Sequence, residues 1–381
     1  MARVGSNAKH EQIKSALRSY IIDGTYAVGD QIPSQNELIR GYGVSYSTVM
    51  HALQDLVREG YLIRVQGKGT FVSKPPDRAE GRRPRLLGVT LPYVGPGDGP
   101  GGGVYDSRTL SAMESAAREH GFQLIVTCSE SDPAIERSNI EELYNHGVAG
   151  LALWHVGGEA NVDWLERFRR EGIPFVLFDR YLPYYPTDYV VTDNRLVGLE
   201  ATRALIKTGF SRVAVFATNE VVSSVTERIE GYTKALVEAG SPVDESMIQL
   251  ADWRDAPDAA LRLARRFFRR EKGPVAVFAI NTAFFLAVWQ AIGECGRDQD
   301  GSVALATVGN PWVTVPDAIP FVMVDQPLQE MGRSTIELLV KKIAGDQSTS
   351  KVVLPPNVYV RIKGRVTLNG KPVEQPELIP V

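Results

Sequence analysis

The chain has 381 residues, 44% of them apolar and 23% charged, enough to bury two or three cores and too apolar for a disordered or low-complexity protein. The formal net charge of −3 is unevenly spread: 13 Lys and Arg stand against 8 Asp and Glu up to Arg85, which leaves 29 against 37 beyond it. A small basic module joined to a larger acidic one is therefore expected.

The opening "MARVGSNAKHEQIKSALRSYIIDG" alternates charge with apolar residues at helical spacing and has no signal-peptide pattern, so the mature chain is expected to begin near Met1 and to work in the cytoplasm. Ile13, Leu17, Tyr20 and Ile21 mark a first helix that "DGTYAVGD" ends. Ser34, with Glu37 three residues on, forms a capping box that starts a short second helix, which Gly41 and Gly43 close. Ser45 caps a third helix running to about Glu59, with Val49, Ala52, Leu53, Leu56 and Val57 as its buried stripe. Tyr46, Ser47, Met50, His51 and Gln54 then face outward. After Gly60, "YLIRVQGKGTFV" reads as two short strands around a glycine-lysine-glycine turn.

Three helices and a hairpin make a winged helix-turn-helix. The stretch "QIPSQNELIRGYGVSYSTVMHALQDLVREGYLIRVQGKGTFV" resembles the DNA-binding domain of the GntR family of bacterial regulators. Such a module sets the start of its third helix in the major groove and its wing against the backbone or minor groove. Arg40, Arg64 and Lys68 are candidates to neutralise phosphates, with the Ser34, Ser45 and Ser47 hydroxyls at helix starts. Family members carry arginines where this chain has Asn36, Tyr46 and Met50. Base reading is therefore expected to fall to Tyr46 and Met50 against thymine methyls, and to Asn36 and His51 through hydrogen bonds.

A stretch over residues 75–85, opening on two adjacent prolines and carrying mixed charge, reads as a linker between a head at 1–74 and a core at 86–367, with a tail at 368–381. From Leu86 short β-rich runs alternate with amphipathic helices: "LLGVTLPY", "SRTLSAMESAAREHG", "FQLIVTCS" and onward to "PFVLFD". A second series is expected to begin near "DYVVTDN". The alternation predicts an α/β core of two doubly wound parallel units with a cleft at their strand ends. "PVAVFAINTAFFLAVWQAIGEC" is apolar, but Pro274, Asn281, Thr282 and Gln290 make it a buried strand and helix rather than a membrane span.

The core resembles the effector-binding domain of the LacI/GalR family, which is related to periplasmic sugar-binding proteins. "GIPFVLFDR", "VVTDNRLVGLEATRALIKTGFSRVAVF", "RIEGYTKAL", "PVAVFAIN" and "VDQPLQEMG" carry the match in order. A GntR-type head on this core is the arrangement of arabinose-repressor-like transcription regulators, which the whole chain resembles. The resemblance implies that Asp179, Arg228, Asn281 and Gln326 face a ligand, and that Trp253 stacks on a sugar. Asp106, Trp154 and Ser224 are further lining candidates by position. Carboxylates and amides, an arginine fork and an aromatic face are what polyol recognition needs. For each polar residue a buried structural hydrogen bond is the competing reading, and for Trp253 core packing. The family's aspartate after the asparagine is Thr282 here, and "VGNPW", with Asn310, Pro311 and Trp312, replaces another expected carboxylate.

"GPGDGPGGG" contains a formal dinucleotide fingerprint at Gly97, Gly99 and Gly102, but about a dozen residues, Pro96 and Pro100 included, separate strand from helix. A flexible insertion is the better account, and no cofactor is expected. Cys128 and Cys295 lack metal spacing and read as small apolar filler, and His155 as a solvated loop residue. The sequence thus points to a dimeric, sugar-responsive repressor that binds operator DNA and is not an enzyme. An NAD(P)-dependent oxidoreductase and a sugar-binding module with a decayed head are the alternatives.

Overall fold

The computed structural model describes residues 4–22, 24–58, 60–65, 68–73, 86–92, 107–252, 257–299 and 301–373. The expected linker at 75–85, the glycine run, Asp106 and Trp253 lie outside the described residues. The chain divides into two compact units, Met1–Arg83 and Pro84–Val381.

In the first unit, helix α1 (Val4–Ile22) is followed by α2 (Gln35–Tyr42), α3 (Tyr46–Arg58), and strands β1 (Leu62–Val65) and β2 (Gly69–Val72). Ile13, Leu17 and Ile21 pack with Val49, Ala52, Leu53 and Leu56, and Leu62 and Val72 close this small core from the hairpin. Tyr20, which shares the helical spacing, is 42% exposed and meets Tyr26 edge to face instead. Strands β1 and β2 pair antiparallel, with Leu62 opposite Val72. Residues 29–32 bond to the outer side of β2, through Ile32 N to Thr70 O and Val72 N to Asp30 O.

The second unit holds two sheets. The first half supplies β3 (Leu86–Leu91), α4 (Ser107–Glu119), β4 (Gln123–Cys128), α5 (Pro133–Asn145), β5 (Gly150–Leu153), α6 (Val162–Arg170), β6 (Phe175–Phe178) and β7 (Asp188–Thr192). Then come α7 (Asn194–Lys207), β8 (Val213–Thr218), α8 (Ser223–Glu238), β9 (Ile248–Ala251), α9 (Pro257–Arg270), β10 (Val275–Ala279), α10 (Thr282–Glu294), β11 (Val303–Val308) and β12 (Phe321–Asp325). The chain ends with α11 (Leu328–Ile343), β13 (Lys351–Leu354), β14 (Asn357–Ile362), β15 (Arg365–Leu368) and β16 (Lys371–Pro372). One sheet has the order β13-β7-β6-β5-β3-β4 and is parallel throughout; the other runs β16-β15-β14-β12-β11-β10-β8-β9. Runs such as "FVLF", "VAVFA" and "VALATV" are buried along their whole length, as strands covered on both faces must be.

The halves are not in tandem as the sequence suggests. Strand β7, expected to open the second series, pairs with β6 in the first sheet, and Val190 packs in the first core. The break falls one residue later, at Asp193, which caps α7 by accepting from Leu196 N at 2.9 Å. The chain returns after β12, places α11 on the first half and β13 beside β7, then crosses a third time to β14. The expected tail from 368 is also corrected, since β15 and β16 extend the second sheet to Pro372. Two tight turns fold them back: Lys363 and Gly364 have φ of 48° and 73°, and Asn369 and Gly370 have 48° and 79°. Those are the left-handed pairs that short hairpins demand.

Both cysteines are exposed, not apolar filler. Cys128 ends the edge strand β4 and Cys295 caps α10. Among the described residues, no helix is long and apolar enough to cross a membrane, and no three His, Cys, Asp or Glu could together hold a metal ion.

Candidate functional site

The candidate residues of the first unit stand on α2, at the start of α3 and on the hairpin. Ser34 Oγ accepts from Glu37 N at 3.4 Å while Glu37 Oε2 accepts from Ser34 N at 2.7 Å, the reciprocal capping box. Gly41 lies inside α2, and Gly43 alone ends it, in the left-handed conformation with its N–H on Ile39 O. Ser45 Oγ accepts from Thr48 N at 3.3 Å and lies 3.0 Å from Ser47 Oγ, so α3 starts on a cluster of hydroxyls. Ser34, Asn36, Arg40, Ser45, Tyr46, Ser47, His51, Arg64 and Lys68 are all exposed, Tyr46 by 58%. Met50 is half-buried because Arg64 crosses from the hairpin to lie 3.6 Å from its Sδ. That contact places a cation beside the outward face of α3. Arg40 donates to Asn36 O at 3.3 Å, and the hairpin turn at Lys68 is tied back by Gln31, which donates to Lys68 O at 3.2 Å.

In the second unit the strand order reverses at β3, flanked by β4 and β5, and at β8, flanked by β9 and β10, and the polar candidates follow strands β5, β6, β10 and β12 or stand in the first turns of α8. Trp154 follows β5 and donates its Nε1–H to Asp179 Oδ2 at 2.8 Å. Asp179 follows β6 with φ of 66°, a left-handed conformation that a carboxylate-bearing residue adopts at a cost and that aims its side chain away from the strand direction. Arg180, not singled out from the sequence, lays its guanidinium 3.7 Å above the Trp154 ring and 3.7 Å from Asp179 Oδ2. Trp154 and Asp179 are 7% and 8% exposed.

Arg228 comes from α8 in the other half. Its Nε donates to Asn194 Oδ1 at 2.9 Å and its Nη1 to Ile280 O at 2.8 Å, which leaves Nη2 without a protein acceptor among the described residues. Burial lowers its pKa to about 10, Asp179 pulls it up and Arg180 pushes it down, so the guanidinium stays charged at neutral pH beside both. Ser224, one turn earlier, is buried. Asn281 ends the β10 segment and uses its Oδ1 to cap α10, accepting from Phe284 N at 3.0 Å. Gln326, after β12, donates to Thr192 Oγ1 at 3.1 Å and so links two of the crossing segments. Thr282 packs beside Gly309. Trp312, in the loop that replaces the expected carboxylate, is 69% exposed with φ of 54°.

His155 is corrected: it is 1% exposed, its Nε2 lies 2.7 Å from Ala160 O and its Nδ1 accepts from Gly157 N at 2.9 Å. Behind it Glu136 is fully buried, accepting from Val156 N at 2.7 Å and Asn161 Nδ2 at 3.0 Å. Burial raises Glu136 to about 7 and lowers His155 to about 4. Together they fix the loop that carries Trp154. Neither Glu136 nor Arg180 stands out by spacing, although Arg180 ends the quoted "GIPFVLFDR".

The model of the periplasmic binding proteins and sugar binding domain of the LacI family matches residues 105–363, and that of the bacterial regulatory proteins of the gntR family matches residues 9–72. The "Arabinose metabolism transcriptional repressor" of Geobacillus stearothermophilus is 25% identical over 362 residues, 93% of this chain and 96% of that one. A solved complex of the transcriptional regulator CelR with cellobiose is 23% identical with a TM-score of 0.62, over 87% of this chain and 100% of that chain. A LacI family regulator from Enterococcus faecium with bound ribose is 20% identical with a TM-score of 0.59, over 73% and 98%.

Proposed function

Because the chain belongs to the family of periplasmic binding proteins and LacI-type sugar-binding domains and also carries a gntR-type head, we propose that it is a dimeric, cytoplasmic repressor of carbohydrate-utilisation genes whose operator binding is controlled by a sugar in the cleft. The observation that carries this reading is Arg228. A buried guanidinium with two of its arms spent on Asn194 and Ile280, and the third left over near Asp179, the carboxylate that Trp154 also meets, suits a hydroxylated ligand. Asn281 and Gln326 would share further hydroxyl hydrogen bonds, and Asp106 and Trp253 are proposed to complete the wall. On the head, Lys68, Arg64 and Arg40 would position the duplex, with Tyr46, Met50, His51 and Asn36 reading bases.

Closure on the sugar would change how two cores pack, so operator and effector bind antagonistically by linkage. Two-fold symmetry of the dimer predicts a roughly palindromic operator. A thermal-shift screen of mono- and disaccharides tests the cleft: one or a few sugars raise the melting temperature, and Asp179→Ala and Arg228→Ala abolish the shift while keeping the fold. A shift that survives both substitutions refutes the pocket.

A further inference from the structure

Beside the ligand-facing residues runs a second set of contacts that joins the two halves directly. Tyr181 belongs to the first half, where its ring stacks on Tyr189 of β7 at 4.4 Å and 13°. Its N–H donates to Ser223 Oγ at 2.9 Å and its hydroxyl to Glu227 Oε1 at 2.6 Å, both on α8 of the second half. Glu227 Oε1 also receives Arg195 Nη1 at 2.6 Å, so the acceptor is held in place from its own side. Ser223 and Glu227 are 5% and 6% exposed.

The register is the telling part. Along α8, Ser224 and Arg228 form one stripe at i and i+4, and Ser223 and Glu227 form the adjacent stripe. On the facing segment, Asp179 belongs to the pocket and Tyr181, two residues on, to the second set. Any movement of α8 that changes the distance from Arg228 to Asp179 must also stretch or shorten the Tyr181 bonds. Tyr181 keeps its proton to about pH 12, because burial and Glu227 both disfavour the phenolate, and so it donates throughout the neutral range. Tyr181 and Glu227 line a crevice of about 570 Å³ with Tyr189, Arg195 and Glu230, leaving room for that pair to part.

We propose that Tyr181, bonded to Ser223 and Glu227 across the two halves, is a positioning residue that latches the cleft and couples effector occupancy to closure. The proposal rests on reading the cleft as the effector site. Its test needs no sugar, so it can fail while that reading stands. The chain has only two cysteines, both exposed, with Cys128 in the first half and Cys295 in the second. Nitroxides on these two residues, in labelled full-length chain diluted with unlabelled chain, report the distance between the halves by double electron–electron resonance. Wild type should give one narrow distance, and Tyr181→Phe should add a second, longer population. Tyr144→Phe serves as the control, since it removes an equally short tyrosine–glutamate bond, to Glu171 at 2.6 Å, inside the first half. Should Tyr181→Phe fail to fold, Ser223→Ala takes its place with the same expectation. An unchanged distribution, or an equal change in Tyr144→Phe, overturns the latch.

Discussion

At Glu136 a carboxyl sealed from solvent accepts two hydrogen bonds from the loop behind Trp154. Its pKa in the fold, about 7 against an ordinary 4.5, means that the folded chain binds the proton more tightly. The stability it contributes is present below about 4.5 and is lost as pH rises through 7. His155 acts in the opposite direction, since its lowered pKa of about 4 costs stability as pH falls below its ordinary 6.5. Glu136→Gln separates the two. Between pH 5 and 8 the core melting temperature of wild type should fall by several degrees relative to the variant; parallel curves would contradict the assignment. At this scale the sequence shows chemistry but not burial. Glu136 and His155 look like ordinary surface residues until the fold encloses them, whereas Asp179 and Arg228 are recognisable from the motifs around them. Tyr46 is a residue whose exposure was legible from α3 periodicity. Tyr46→Ala should change which bases are preferred in a selection from random DNA, by roughly the 1–3 kcal/mol that a good base contact is worth. Unaltered preference would assign base reading elsewhere.

Helices α7 and α8 bring Asn194 and Arg228 together because two glycines let them touch. A Cβ on Gly198 would stand 1.9 Å from Arg228 O, and one on Gly231 would stand 2.1 Å from Arg195 O. Neither glycine is needed for a turn; both are needed for close approach. Gly231→Ala must therefore push α8 off α7, and we expect it to cost about 1–3 kcal/mol, the usual range for overpacking. It should weaken sugar binding with it, because Arg228 moves. Isothermal titration with the sugar from the screen and chemical denaturation measure the two losses, and an alanine tolerated on both counts would remove this account of how Arg228 is placed. The element types were legible, because caps, stripes and apolar runs have local causes. Strand partners were less so. The sheet that β7 joins is decided by contacts with β6 and β13, and "TDYVVTDN" reads the same for either half. The closing hairpins did carry a signal, in the "KG" and "NG" pairs at 363–364 and 369–370.

The whole molecule joins a basic head whose third helix offers no arginine before Arg58 at its far end to an acidic core whose cleft is crossed by three chain segments. Domain order and fold class follow from the switch in periodicity near Leu86. What the cleft binds does not, because the residues proposed to line it come from strand ends scattered between Trp154 and Gln326 and depend on distances that no local pattern encodes. The central claim is that these two modules are energetically coupled. Fluorescence anisotropy of the full-length chain on DNA from its own promoter, at low salt and then with the sugar from the thermal screen, tests it most directly. The account predicts saturable binding to a roughly palindromic site, tighter than to random DNA and weakened about tenfold or more by the sugar, a coupling of about 1.4 kcal/mol or above. Binding no tighter than to random DNA, or operator affinity unmoved by a sugar that saturates the cleft, would contradict it.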